Sequence, residues 1–123
     1  RLDVSAVIIE YDHNAPTAQF LKETHEPFFK TVRDAKPNVP IILISGWFFR
    51  ERSDDVNRKI RRDIVKQTML NAVNSGDKAV YFIDGSKLFP RETCTDFSAD
   101  CIHPNDTGFG IMAEKITDIL ENL

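Results

Sequence analysis

The stretch "VSAVIIEY", residues 4–11, decides the fold class. It is almost continuously apolar and β-branched, without the alternation of a strand that has one wet face. Such a run fits a strand covered on both sides, as in a parallel sheet. Two further runs share the character, "VPIILIS" at 39–45 and "KAVYFID" at 78–84. The segments between them have a helical period. The resulting order is β-α-β-α-β-loop-α. Strands alternating with helices imply right-handed crossovers and a parallel sheet with helices on its faces.

The helical segments carry their own punctuation. Residues 17–36 place Phe20, Leu21, Phe28, Phe29 and Val32 toward one side, and Pro27 is expected to kink or split the helix. Residues 54–74 open with Asp54 and Asp55 as cap candidates and repeat Val56, Ile60, Ile64, Met69 and Val73. They stop at Ser75-Gly76. Residues 107–122 put Phe109, Met112, Ala113, Ile116, Ile119 and Leu120 on one stripe, with Glu114, Lys115, Asp118 and Glu121 opposite.

A chain of 123 residues, 41% apolar and 28% charged, is expected to form one globular domain. No apolar run approaches the roughly 18 residues that span a bilayer. The net charge is −3, and the one locally basic tract, "RKIRR" at 58–62, reads as a solvated helix face. Neither nucleic acid nor a membrane is an expected partner. Arg1 leads straight into a strand without an initiator methionine, which suggests a processed product or a piece of a longer chain. Cys94 and Cys101 could close a small disulfide loop or remain two thiols, so the compartment stays open.

Open α/β sheets bind ligands beyond the carboxyl ends of their strands. Three segments emerge there: "YDHNAP" (11–16), "SGWFFRERS" (45–53) and the long irregular stretch 85–106. A loop of that length in a small α/β unit is usually functional. It contains Asp100-Cys101-Ile102-His103. A histidine acting as general base needs its far nitrogen held by an acceptor, and an aspartate three residues earlier on a turn supplies one. Taken alone, the same pattern also fits a turn aspartate beside a surface histidine. Asn14 follows the first strand, where its amide could donate to a developing oxyanion or simply make the turn before Pro16. Asp12 and His13 adjoin it, but with His103 they form no metal-ligand spacing. Ser45 lacks the small neighbours of a nucleophile turn and reads as structural. Trp47, Phe48 and Phe49 are either core under the loop or an apolar pocket wall.

Taken together, "VIIEYDHNAP", "VPIILISG" and "DCIHPNDTGFGIMAEKI" resemble the SGNH (GDSL-type) hydrolases, in particular their bacterial branch. The resemblance implies a three-layer α/β/α, flavodoxin-like parallel sheet, truncated at the N-terminus. It implies a serine esterase acting on acyl esters, with acetylated carbohydrate among the candidate substrates and no cofactor. His103 would be the base, Asp100 its orienting acid and Asn14 an oxyanion donor. The family's Gly-x-Asn-Asp block reads Asp12-His13-Asn14-Ala15 here, so only the asparagine carries over. No Gly-Asp-Ser nucleophile block is present. The resemblance therefore puts the serine upstream of Arg1 and leaves residues 4–11 as an open sheet edge. That edge is expected to pair with an N-terminal fragment of the same protein or with a second copy. A response-regulator-like receiver, with Asp12 as phosphoryl acceptor and Ser45 as its contact, is the alternative, followed by a non-catalytic α/β binding domain. Lys87 does not sit where a receiver places its phosphate-binding lysine.

Overall fold

The three apolar runs do form the strands of one parallel sheet. A computed structural model describes residues 3–47, 55–89 and 94–123, without the side chains of Asp55 and Cys94. Strand β1 spans Val7–Glu10, β2 Ile41–Ile44 and β3 Val80–Ile83, in the spatial order β1-β2-β3. Val7 pairs with Ile41 and Ile41 with Val80; Glu10 pairs with Ile44 and Ile44 with Ile83. The ladders are shorter than the apolar runs. At one end the chain leaves β1 for a 3-10 turn over Asp12–Asn14. At the other, the register begins opposite Ile41, because Pro40 has no N–H to contribute.

Strands β2 and β3 alternate between two cores, whereas β1 contributes only to the first. Ile8, on its other face, is 46% exposed, so the run at 4–11 is not covered on both sides among the described residues. Ile9, Ile41, Leu43 and Val80 face helices α1 (Ala18–Ala35) and α2 (Asp55–Asn74). Ile42, Ile44 and Ile83 face the other way, against Met112 and the half-buried Ile111, Ile116 and Ile119 of helix α4 (Asp106–Leu120). A one-turn helix, α3 (Cys94–Phe97), precedes α4. This is the three-layer α/β/α arrangement, with an open sheet. β2 is buried along its whole length, which is why its sequence carries no polar position.

The helix faces differ in detail from the sequence reading. Helix α1 runs unbroken through Pro27. The carbonyl that loses its partner belongs to Glu23, on the exposed side of the helix, where water can replace the missing N–H. Its buried stripe is Leu21, His25 and Phe29, while Phe20 and Phe28 are 41% and 48% exposed. In α2 the buried residues are Val65, Thr68 and Ala72, and Val56, Ile60 and Val73 face solvent. The reason is shared: α1 and α2 pack on each other through Leu21 and Phe29 against Val65 and Ala72, and His25 Nδ1 meets Thr68 Oγ1 at 2.8 Å. In α4, Phe109 and Leu120 are exposed, at 57% and 38%. The tract at 58–62 is not a uniformly solvated face either. The Arg61 side chain is only 13% exposed and binds Asp12.

Gly76 ends α2 with φ +93°, the left-handed conformation that suits glycine. At the edge away from the site, Arg33 donates to Asp77 Oδ2 (2.8 Å) and to the carbonyls of Val39 (2.6 Å) and Ala79 (3.0 Å). One guanidinium thus joins the chain before β2 to the chain before β3.

Candidate functional site

The turn after β1 is held from beneath by Asp12, which is 2% exposed. Its Oδ1 accepts from Arg61 Nε at 2.7 Å, and its Oδ2 accepts from the Gly46 N–H at 2.7 Å. The guanidinium also donates to the carbonyls of Asp12 and Ala15. A buried carboxylate is tolerable here because both of its oxygens are paired, one with a guanidinium. Gly46 allows the approach: a Cβ there would lie 2.9 Å from Asp12 Oδ2. This arrangement fixes the backbone of Asp12–Asn14, whose last N–H donates to the Tyr11 carbonyl at 3.1 Å. Asn14 itself is exposed, and its amide makes no hydrogen bond among the described residues.

Ser45 is fully buried, and its Oγ accepts from the Gly85 N–H at 3.0 Å. Gly85 lies against the Ser45 and Gly46 carbonyls so closely that any side chain there would collide. Ser45 is therefore scaffold, as its neighbours suggested. The receiver alternative fails on the same geometry. Both Asp12 oxygens are already bound within the protein, and the Lys87 side chain is 81% exposed, 4.0 Å from Asp84.

The base candidate is built locally on the loop before α4. Asp100 Oδ1 accepts from the backbone N–H groups of Ile102 (2.9 Å) and His103 (2.8 Å) and from Ser98 Oγ (3.1 Å). Its Oδ2 accepts from His103 Nδ1 at 2.6 Å. The His103 bond, followed by those backbone donors, holds the Asp100 carboxyl well below the usual carboxylate range. With Nδ1 engaged, the second ring nitrogen stands on an imidazole that is 80% exposed. The rest of the motif explains the loop's attachment. Asn105 caps α4 by accepting from the Gly108 N–H at 3.0 Å. Gly108 lets α4 press on α3; a Cβ there would lie 2.5 Å from the Phe97 carbonyl oxygen.

Trp47 connects the two loops. Its backbone N–H donates to His13 Nε2 at 3.2 Å, and its indole N–H donates to the Ile102 carbonyl at 3.2 Å. The His13 and Trp47 rings lie 4.7 Å apart. Trp47 also packs on the α4-side core, whereas Phe48 and Phe49 lie outside the described residues. Loss of hydration pulls the His13 pKa below its ordinary value; Asp12 opposes this, and Arg61, Arg58 and His103 add to it. Cys101 is disulfide-bonded and adopts φ 59°; the Cys94 side chain lies outside the described residues.

The structure thus brings Asp100 and His103 into contact and places Asn14 on an exposed turn beside His13. The sequence reading missed Arg61, whose basic neighbours disguised it, and the pairing of His13 with Trp47, which lie on different loops.

The profile of the GDSL-like lipase/acylhydrolase family matches residues 1–121. A search of curated proteins found no match. Among solved structures, the chain is similar to a protein described as a GDSL-like lipase from Bacteroides ovatus ATCC 8483. That match has a TM-score of 0.77 at 22% identity, covering 98% of this chain and 36% of the other. It is also similar to SsfX3, a salicylyl-acyltransferase from a tetracycline biosynthetic pathway, with a TM-score of 0.71 at 20% identity, covering 92% and 36%. These likenesses concern the fold, and the chain spans 36% of the length of each. With the family profile covering nearly its whole length, the chain belongs to the GDSL-like lipase/acylhydrolase family.

Proposed function

We propose that this chain carries the base half of a serine esterase site of the SGNH type. The observation that supports it most is the 2.6 Å contact between His103 Nδ1 and Asp100 Oδ2 on an exposed loop. In this reading His103 Nε2 takes the proton of a serine hydroxyl as the serine oxygen attacks the ester carbonyl carbon. Asp100 fixes the tautomer and stabilises the imidazolium that forms. The Asn14 amide donates to the tetrahedral oxyanion. As the intermediate collapses, His103 returns the proton to the departing alkoxide, and water then releases the acid by the same route in reverse.

The nucleophilic serine is assigned in this reading to a segment outside this chain, since the chain has no Gly-Asp-Ser block and Ser45 is buried and bound. In this reading that segment pairs with β1, which is an edge of the sheet among the described residues. An acyl ester with a small alcohol or carbohydrate portion is the proposed substrate.

The test is hydrolysis of p-nitrophenyl acetate by the intact protein. His103→Ala should abolish most turnover, and Asn14→Ala should lower kcat by about 100-fold or more. The 123-residue chain alone should stay near background. Stoichiometric labelling of Ser45 by a fluorophosphonate probe would overturn the assignment.

A further inference from the structure

We propose that His13 and Trp47 are positioning residues that hold the Asn14 turn and the His103 loop in register. The inference rests on the reading of His103 as base and Asn14 as oxyanion donor.

The Asp100–His103 pair is local: both side chains sit on one short turn and move with it. Nothing within that turn says where it stands relative to Asn14, far away in sequence. A base and an oxyanion donor act on the same reacting centre, so their separation matters more than either geometry alone. A misplacement of about 1 Å can cost on the order of 100-fold in rate. Two hydrogen bonds supply the register. Trp47 N–H reaches back to His13 Nε2, next to Asn14, and the Trp47 indole N–H reaches across to the Ile102 carbonyl, next to His103. Ile102 in turn donates its N–H to Asp100. Ring contact at 4.7 Å between His13 and Trp47 keeps the two bonds in one rigid unit.

The chemistry of the bond constrains His13. A nitrogen that accepts an N–H cannot carry a proton, so His13 is neutral with its hydrogen on Nδ1. Asp12 favours its protonation; Arg61 and Arg58 of α2, His103 of the facing loop and the loss of hydration oppose it. Protonation would break the link to Trp47.

Three variants separate the parts. Trp47→Phe keeps an aromatic ring and the backbone donor but removes the indole N–H. His13→Phe removes the acceptor, while His13→Gln puts an amide oxygen near the place of Nε2. In the intact protein, Trp47→Phe and His13→Phe should each lower kcat for p-nitrophenyl acetate by about 10- to 100-fold with KM within about two-fold. His13→Gln should recover most of that loss and remove the acidic limb that His13 protonation adds to the pH profile. The NMR measurement is independent of turnover. The His13 Nε2 shift should be that of an unprotonated nitrogen, and Trp47→Phe should drop the backbone order parameters of Ile102 and His103 from about 0.85 toward 0.6. A protonated Nε2 at neutral pH, or unchanged order parameters in Trp47→Phe, would overturn the proposal. So would loosened loops with unchanged kcat. Wild-type protein inactive on esters would sink the esterase reading instead, and the order parameters would still decide whether the two loops are coupled.

Discussion

Acid should weaken this protein through His25, a residue remote from the proposed chemistry. His25 is 1% exposed between α1 and α2, with Nδ1 on Thr68 and Nε2 buried without a partner among the described residues. A protonated ring would bury a charge and an unpaired N–H. Loss of hydration therefore takes its pKa from 6.5 to about 4, against weaker pulls from Asp12 and Glu26. The folded value lies below the unfolded one, so the stability is complete above pH 6.5 and is lost as pH falls through about 4. At 1.36 kcal/mol per pH unit, the gap corresponds to about 3 kcal/mol. With a urea slope of about 1.5 kcal/mol per M, that is a midpoint shift of about 2 M. Carboxylates also titrate in this range, so the informative quantity is the difference between wild type and His25→Leu, measured by urea melts from pH 7 to pH 4. His25→Leu loses the Thr68 bond, but Thr68 Oγ1 retains the Ile64 carbonyl at 3.4 Å. The variant should be less stable than wild type, or close to it, at pH 7 and gain about 3 kcal/mol on it by pH 4. A constant difference across the range, or a His25 resonance titrating near its ordinary value, would refute the reasoning.

Three other expectations are simpler to test. Gly108→Ala should destabilise by about 2 kcal/mol, because its Cβ would lie 2.5 Å from the Phe97 carbonyl oxygen, whereas Gly110→Ala, with nothing within 4 Å, should stabilise by about 0.5–1 kcal/mol; thermal melts of the pair decide it. Arg61→Lys should cost about 2 kcal/mol in urea melts, since an ammonium cannot serve Asp12 Oδ1 and the Asp12 and Ala15 carbonyls together; a loss under 0.5 kcal/mol would mean the guanidinium is not bearing on the turn. Burial raises the Glu10 pKa, and one carboxyl oxygen has no partner among the described residues. Ionised Glu10 therefore weakens the fold at pH 7, and Glu10→Gln should stabilise it there, with the gain fading as pH falls through the raised pKa.

The class of fold was legible because apolar runs and helical periods are local properties. Runs such as "IILI" in β2 have no polar position, and only a strand covered on both faces permits that. Helix positions were legible for the same reason, through their apolar period and Gly76 as a stop, while the caps Thr17 and Asn105 came from the structure and the expected caps Asp54 and Asp55 lie outside the described residues and side chains. The Asp100–His103 contact was legible too, because a three-residue turn places both groups with little help from elsewhere.

Leu21, Phe29 and Met112 are buried as their stripes suggested, but tertiary structure decided the rest of the buried helix faces. Size and hydrophobicity favoured Phe28, Val56 and Val73, but the close approach of α1 to α2 selected His25, Thr68 and Ala72 instead. It also made Arg61 the internal partner of Asp12 and bound both Asp12 oxygens within the protein, although the two looked like surface or edge residues in the sequence. Trp47, an apolar residue past a strand end, became the link between two loops that the sequence keeps apart. The sequence by itself determined the elements and the local Asp–His turn, since those depend on neighbours along the chain. Burial, ion pairing and the register of one loop against another depend on neighbours across it, and only packing of the three layers specifies those.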